Sequence, residues 1–187
     1  IGILMGKNLQ QQGFDKINAE SMADAIKDVL EGNDLKVPGP EAQALVNKYV
    51  QEKAETKSAA ARGAGETFLA QNKQRPEVTT TETGLQYEVI NSGEGATPGP
   101  TDKVKVHYHG TLVDGTVFDS SVDRGEPISF PVNGVISGWT EALQLMQEGD
   151  KWKIFIPYNL AYGERGAGAQ IPPYAALIFE VELLAVE

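Results

Sequence analysis

Residues 104–121 read VKVHYHGTLVDGTVFDSS and contain the two clearest secondary-structure signals in the chain. Val104, Val106 and Tyr108 alternate with other residues, as the buried face of an antiparallel strand does. Asp114-Gly115 then separates two apolar pairs, and this dipeptide favours the tight turn of a β-hairpin. The stretch therefore predicts two antiparallel strands joined by a short turn.

The rest of residues 84–187 predicts more short strands around a single helix. Runs rich in apolar and β-branched residues predict strands at 85–90, 103–109, 128–132, 151–156 and 177–186. Only Thr140–Met146 has helical spacing, with Ala142 and Leu143 on its inner side. A sheet covered by one short helix is an α+β arrangement, and we assign residues 84–187 to one such domain.

The N-terminal region predicts helices instead. Asn18 is a suitable N-cap for a helix that ends at Glu31, and Gly32 is a suitable C-terminal stop. A shorter helix containing Leu4 and Leu9 is predicted before it. We assign the residues up to number 50 to a helical domain.

A long helix is predicted next. Pro40 suits its first turn, and no proline interrupts residues 41–75. Gln51–Thr67 contains no large apolar residue, and a helix that is polar all round usually bridges solvent. Gly63 and Gly65 weaken the helix by ~1 kcal/mol each relative to alanine. We therefore interpret residues 41–75 as a connecting helix whose middle is a stalk.

The apolar side chains of residues 1–50 have no evident core of their own. A unit of about 50 residues is marginally stable on size grounds. Pairing with a second copy would bury its apolar side chains together: Leu4, Leu9, Ile26, Val29, Leu45 and Tyr49. The alternative is a helical hairpin that packs on the C-terminal domain. We expect a homodimer built from residues 1–50.

Composition excludes several classes of function. The net charge of −10 argues against nucleic acid and against an anionic membrane surface as partners, because both require clustered basic residues. The chain has no cysteine, which rules out a disulfide, a zinc–thiolate site and a thiol nucleophile. The chain contains no run of ~18 apolar residues, so no membrane span is predicted. The chain begins at Ile1 rather than at a methionine, so the question of a preceding leader segment stays open.

Three candidate sites have simpler alternatives. His107 and His109 share one face of a strand, but a metal site there would need a carboxylate as third ligand, and we expect packed or surface histidines. Residues 163–168, GERGAG, lack the Lys-Ser/Thr of a phosphate loop, and we interpret them as a loop flanking a site. Asp119 and Asp123 could form a hydrolytic carboxylate pair, although a turn cap or an ion pair is the simpler role for Asp123.

Aromatic residues indicate another kind of site. Trp139 follows a glycine at a predicted helix start and is either core or the floor of a pocket. Tyr108, Phe118, Tyr162 and Phe179 favour the pocket. These residues occur beside glycines, prolines and one acid, without an obvious nucleophile–base pair or metal cluster. Such a set is typical of an apolar cavity that binds or twists a ligand without covalent chemistry.

The order of the motifs identifies a family. VHYHG, DGTVFDSS, GVISGW, AYGERGAG, IPP and IFEVELL follow one another across residues 84–187. This series closely resembles the domain of FKBP-type peptidyl-prolyl cis-trans isomerases. MGKNLQQQGF and SMADAIKDVLEG resemble the N-terminal region of the macrophage infectivity potentiator (Mip) type of bacterial FKBP. The resemblance implies an FKBP-like antiparallel sheet wrapped on one short helix, preceded by an all-α dimerisation region and a long connecting helix.

The resemblance also implies the residues of the site. Catalytic positions fall on Tyr108, Phe118, Asp119, Tyr162 and Phe179. Substrate or macrolide contacts fall on Val135, Ile136, Trp139, Ile171 and Ile128. Ile128 replaces an aromatic residue of many members and Ala167 replaces a bulky ring of some, which suggests a slightly opened rim. No metal or cofactor is implied.

We therefore expect an isomerase that accelerates rotation about Xaa-Pro bonds in peptides and folding proteins, with chaperone activity as a dimer. The implied partners are proline-containing peptides, unfolded proteins and macrolide inhibitors of the FK506/rapamycin type. The alternative is a binding protein, a dimeric chaperone whose pocket grips prolines without isomerising them. The location, bacterial cytoplasm or periplasm and cell envelope, stays open.

Overall fold

The structure, a computed structural model, describes all residues from Ile1 to Glu187 and divides them into two compact units, Ile1–Lys57 and Ser58–Glu187. Helices α1 (Gly2–Gln11) and α2 (Ala19–Glu31) belong to the first unit. Helix α3 (Gly39–Asn72) begins in the first unit and ends in the second. None of these helices combines the length and the apolar composition that a membrane span requires.

The predicted ends of α2 are confirmed. The Asn18 side chain accepts a hydrogen bond from the Ser21 N–H at 2.9 Å, which satisfies one of the free donors at the helix start. Gly32 follows the helix with a φ of 71°, in the left-handed region that glycine adopts without steric cost. Local sequence alone therefore sets both ends of this helix.

The first unit has almost no interior. None of its residues is buried, and its closest ring contact is Phe14 stacked on Tyr49 at 4.7 Å between centroids. Many large apolar side chains are exposed in the single chain: Ile1, Ile3, Leu4, Ile17, Ile26, Val29, Leu30, Leu35, Val37, Leu45 and Val46. The first unit does not form a hydrophobic core from its own residues.

The second unit contains a seven-stranded antiparallel sheet. Its strands are β1 (Thr79–Thr80), β2 (Gln86–Asn91), β3 (Lys103–Leu112), β4 (Val117–Ser120), β5 (Ile128–Pro131), β6 (Lys151–Ile156) and β7 (Leu177–Val186). The order is β1-β2-β6-β7-β3-β4, and β5 pairs with the beginning of β3 on the edge that β4 occupies near its end. The predicted hairpin turn is confirmed, with Gly115 at a φ of 86° between β3 and β4.

One face of the sheet packs on helix α5 (Ser137–Leu145). This helix begins earlier than the predicted Thr140, because Ile136 acts as its N-cap residue and Gly138 lies inside its first turn. Gly138 permits close packing, since a Cβ there would lie 2.5 Å from Cγ2 of Ile156. Trp139, Ala142 and Leu143 of the helix are buried in the main hydrophobic core.

The opposite face of the sheet packs on the end of α3. Phe155 and Gln86 pair across β6 and β2 and therefore share this face, which alternates with the one that Ile154 and Ile156 form. The ring of Phe68 lies 5.7 Å from that of Phe155. Gln86 Nε2 donates to the Leu69 carbonyl at 3.0 Å, and Asn72 Nδ2 donates to Gln86 Oε1 at 2.9 Å. The last turns of α3 are thus part of the second unit.

The stalk interpretation of residues 51–67 is wrong at its C-terminal end. Gly65 is buried, and a Cβ there would lie 2.9 Å from the Cβ of Ala176. This glycine weakens the isolated helix, but it allows the helix backbone to approach the residue just before β7. The sequence has no large apolar residue here because the packing uses a small residue instead.

Candidate functional site

A cavity of about 710 Å³ opens between the α5 face of the sheet, α5 and the loops that follow β5 and β6. All of the predicted site residues line it: Tyr108, Phe118, Asp119, Ile128, Val135, Ile136, Trp139, Tyr162, Ile171 and Phe179. They come from separate parts of the second unit, so the sheet and α5 bring them together. Ala167 and Gly168 also line the cavity, so the glycine-rich segment does flank the site, as predicted.

Aromatic rings form the inner end of the cavity. Trp139 is buried, and the rings of Tyr108, Phe130 and Phe179 meet it edge to face at 5.6, 5.5 and 5.2 Å between centroids. Edge-to-face packing places the positive edge of one ring on the negative face of another. Because the rings pack against one another, the floor is a continuous apolar surface.

Phe118 extends this aromatic surface along one wall. Its ring meets that of Phe179 edge to face at 5.4 Å. Gly110 makes room for both rings, because a Cβ there would lie 2.9 Å from Phe118 and 2.8 Å from Phe179. The glycine in VHYHG therefore has a packing reason that the sequence alone did not reveal.

A polar network forms the other part of this wall. The Tyr108 hydroxyl donates to Asp119 Oδ2, and Arg124 Nη1 donates to Asp119 Oδ1. Arg124 Nη2 also donates to the Tyr108 hydroxyl at 2.9 Å, and the guanidinium lies 5.6 Å from the centre of the Tyr108 ring. The three side chains thus form a closed hydrogen-bonded group beside the aromatic floor.

This network fixes the charges at neutral pH. Burial opposes ionisation of Asp119, but hydrogen bonds from Tyr108 and Arg124 outweigh it and lower the pKa of the carboxyl. Burial, followed by the hydrogen bond to Asp119, raises the pKa of Tyr108. Asp119 is therefore a carboxylate and Tyr108 a neutral phenol. Neither pKa lies near 7, so the pair supplies an electric field rather than a proton.

Arg124 was not predicted as a site residue. It ends the short helix α4 (Ser121–Arg124), whose Ser120 cap accepts from the Asp123 N–H at 3.1 Å. Ser121 is fully buried and its hydroxyl accepts from the Tyr108 N–H at 2.8 Å, which fixes this helix to β3. The signal in the sequence was the Ser-Ser pair after Asp119, a helix start that turns the following arginine back onto the acid.

The histidines and Asp123 take no part in the cavity. His107 Nδ1 lies 3.1 Å from the Ser121 hydroxyl, and His109 Nδ1 lies 2.9 Å from that of Ser120. No group of three or more histidine, aspartate or glutamate side chains converges in a way that could hold a metal ion. Asp123 lies 3.9 Å from His109 and does not line the cavity, which leaves Asp119 without a carboxylate partner for hydrolysis.

Two polar groups at the rim have free hydrogen-bonding capacity. Ile136 and Tyr162 both line the cavity, and neither the Ile136 N–H nor the Tyr162 hydroxyl forms a hydrogen bond within the chain. Tyr162 is 41% exposed. An extended peptide has carbonyl groups on both sides of each residue, and these donors are of the kind that would hold them.

Three lining residues were not predicted: Phe130, Gly134 and Gln170. Phe130 had a usable signal, because it lies two positions after Ile128 on the same strand and therefore on the same face. The others belong to loops whose path the sequence pattern does not define.

Two family models match the chain. Residues 94–184 match the FKBP-type peptidyl-prolyl cis-trans isomerase, and residues 1–89 match the domain amino terminal to it. The chain therefore belongs to the FKBP-type peptidyl-prolyl cis-trans isomerases, and it carries the amino-terminal domain that accompanies some of them. The resemblance found from the motifs is confirmed, as is the activity, isomerisation of peptidyl-prolyl bonds.

Relatives match along the whole chain. The FKBP-type 22 kDa peptidyl-prolyl cis-trans isomerase of Escherichia coli K12 is 49% identical over 193 residues, which cover 100% of this chain and 92% of the relative. The outer membrane protein MIP of Legionella longbeachae is 41% identical over 100% of this chain and 83% of its own length. The crystal structure of FkpA from Escherichia coli superposes with a TM-score of 0.82 at 37% identity, covering 100% of this chain and 91% of FkpA.

Proposed function

We propose that the aromatic cavity is where the Xaa-Pro bond rotates, with the proline ring on Trp139 between Tyr108, Phe118 and Phe179. The observation that carries this proposal is the combination of an aromatic floor with the unpaired donors of Ile136 and Tyr162 at the rim. The N–H and the hydroxyl would hold the carbonyls that flank the proline. Val135, Ile171 and Ile128 would supply apolar contacts to neighbouring residues.

The mechanism follows from the chemistry of the amide. Resonance creates a rotation barrier of ~18–20 kcal/mol, and water stabilises the planar, polar amide more than the twisted one. A water-poor aromatic surface removes that preference, so it binds the twisted amide more strongly than the planar one. Asp119, held as a carboxylate, contributes a fixed field and orients Tyr108. No proton transfer is needed.

Removing the Tyr162 hydroxyl tests the proposed site. Tyr162→Phe should lower kcat/KM on a chromogenic Xaa-Pro tetrapeptide by about threefold to tenfold, because it removes one hydrogen bond and leaves the ring. Tyr87→Phe is the matched control, since Tyr87 stacks on Trp152 and does not line the cavity. Wild-type kcat/KM in folded Tyr162→Phe would contradict the proposed role of this hydroxyl.

The same cavity would accept macrolide inhibitors of the FK506/rapamycin type. Such a ligand needs an apolar floor and a few donors at its rim, and the cavity offers both. Ile128, 40% exposed, and Ala167 leave the rim open for a large ring. Trp139→Ala should weaken macrolide binding, measured by calorimetry, more than any rim substitution does.

We also propose that the chain is a homodimer through residues 1–50, with residues 84–187 as the isomerase domain. The connecting segment, predicted as a helix over residues 41–75, contains α3, which starts two residues earlier and ends at Asn72. A unit with no buried residue cannot offset the entropy of folding alone, and a second copy supplies the missing apolar contacts. Val29 is 64% exposed and Leu4 72% exposed in the single chain. Both belong to the apolar face that the dimer would cover.

Light scattering separates the two states. The chain has a mass of 20.1 kDa, and a dimer has about twice that. Val29→Lys should shift the particle toward the monomer, because it places a charge in the interface. Val89→Lys is the matched control, an exposed valine on a strand of the second unit. A monomer for the unmodified chain at micromolar concentration would contradict the dimer.

Chaperone activity follows from the dimer. Two cavities on one particle can engage a long unfolded chain at two sites, which raises the effective affinity without new contacts.

For the location, the name of the Legionella longbeachae relative supports the cell envelope. Fractionation of the source cells with an antibody to the chain would decide between envelope and cytoplasm.

A further inference from the structure

The loop between Tyr158 and Tyr174 carries one side of the cavity. It contains Tyr162 and Ile171, and both line the cavity. Two backbone hydrogen bonds close its base, from the Gly163 N–H to the Tyr158 carbonyl at 2.8 Å and from the Tyr174 N–H to the Gly163 carbonyl at 2.9 Å. The position of Tyr162 therefore depends on how firmly Tyr158 and Tyr174 are held.

Both tyrosine rings face one arginine of α3. The guanidinium of Arg62 lies 5.9 Å from the ring centre of Tyr158 and 5.4 Å from that of Tyr174. The two rings pack edge to face at 5.3 Å. A guanidinium at these distances is attracted to the faces of both rings. Glu66 accepts a hydrogen bond from Arg62 Nε at 2.8 Å and holds the guanidinium in place.

The backbone next to this contact is strained. Tyr174 has a φ of 61° and is the one non-glycine residue in the chain with positive φ. Such a conformation persists only where the surroundings hold it. Two residues later Ala176 meets Gly65 of α3, where no larger side chain would fit. Arg62 and Gly65, one helical turn apart, thus contact the end of the loop at adjacent points.

We propose that Arg62 is a positioning residue for the isomerase, acting through Tyr158 and Tyr174 to set the loop that carries Tyr162. The proposal rests on the proposed function in one respect, the role of the Tyr162 hydroxyl. It assigns a catalytic consequence to the last turns of α3, outside the residues that line the cavity. A fragment that begins at residue 84 would lack Arg62 and therefore this contact.

The test uses the full chain with Arg62→Met, a substitution that keeps a long side chain and removes its positive charge. Amide hydrogen exchange at Gly163 and Tyr174 should become about tenfold faster, while exchange at Val181, in the middle of β7, stays unchanged. The kcat/KM on a chromogenic Xaa-Pro tetrapeptide should fall about threefold. Arg62→Lys should restore much of both, because an ammonium group can also lie over the rings.

Two further variants make the test specific. Lys57→Met removes a positive charge from an exposed position of the same helix and should leave exchange and kcat/KM unchanged. In a Tyr162→Phe background, Arg62→Met should change kcat/KM by less than about 1.5-fold, because residues that act through one another are not additive.

Three results would overturn the proposal. They are unchanged exchange at Gly163 and Tyr174 in Arg62→Met, faster exchange without any fall in kcat/KM, or an equal effect of Arg62→Met with and without the Tyr162 hydroxyl. Wild-type activity in Tyr162→Phe alone would instead contradict the proposed function. In that case the comparison with and without the hydroxyl no longer applies, and the positioning role stands only if Arg62→Met alone changes both exchange and kcat/KM.

Discussion

Residues 1–57 and residues 58–187 bury their apolar side chains to very different degrees. Every buried apolar residue lies in the second unit, whereas the first unit exposes Ile3, Leu4, Val29 and Leu30 to more than half of their area. Isoleucine, leucine and valine occur in both units, but both tryptophans and five of the six phenylalanines lie in the second, so composition and arrangement both differ. A sheet with a helix on each face encloses a core, but three helix segments in one unit do not. The second unit therefore encloses a core of its own, whereas the first does not, and the proposed dimer would supply the contacts that the first unit lacks.

The largest expected effect tests the core of the second unit. Trp139→Ala should lower the free energy of unfolding by ~3–5 kcal/mol and abolish most activity, because Trp139 is both core and cavity floor. Trp139→Phe, which keeps an aromatic floor, should retain folding and part of the activity. Urea unfolding and tetrapeptide kinetics check both. A folded Trp139→Ala variant with full activity would contradict the proposed role of the Trp139 ring in the mechanism.

A smaller effect separates the two units by their dependence on protein concentration. Phe68→Ala should lower the free energy of unfolding by about 1–3 kcal/mol, because Phe68 covers Phe155, and the loss should not depend on concentration. Tyr49→Ala, which removes the ring stacked on Phe14, should lower a melting temperature that rises with concentration, as mass action requires for a dimer. Calorimetry at several concentrations distinguishes them, and identical behaviour would contradict the proposed division of roles.

The proposed dimer should affect activity on long substrates only. Val29→Lys should leave kcat/KM on a tetrapeptide within about twofold of the unmodified chain, because a tetrapeptide occupies one cavity. It should slow the catalysed refolding of a proline-limited protein about threefold or more, because two tethered cavities are lost. Equal refolding rates for Val29→Lys and the Val89→Lys control would contradict a role for the paired cavities.

The smallest effect on stability comes from Asp119. Its pKa is lower in the folded chain than in the unfolded one, so its ionised form stabilises the fold above the unfolded pKa of about 4. This contribution disappears as pH falls through the folded pKa. Unfolding free energy should therefore be level from pH 8 to about pH 5 and decline below about pH 4, and Asp119→Asn should lose part of that decline. The same acid slope in Asp119→Asn would contradict the hydrogen-bonded network.

Many of the strands and all of the proposed site residues could be predicted from the sequence. The strand of Lys151–Ile156 and that of Leu177–Val186 were predicted at their observed bounds, because alternation and branched residues act locally. The site residues came from a motif series, and the fold brings all of them to one cavity. The packing roles of Gly65 and Arg62 gave no signal, because their partners Ala176 and Tyr174 are more than a hundred residues away. Contacts of that kind exist only once the sheet has formed.

The most direct test of the comparison is the tetrapeptide kcat/KM of residues 58–187 expressed alone. This fragment keeps the sheet, α5, the cavity and the part of α3 that packs on Phe155 and Ala176. It should fold as a monomer and retain kcat/KM within about twofold of the full chain, because every residue assigned to the reaction lies inside it. A folded fragment with kcat/KM reduced about tenfold or more would contradict the self-sufficiency of the second unit.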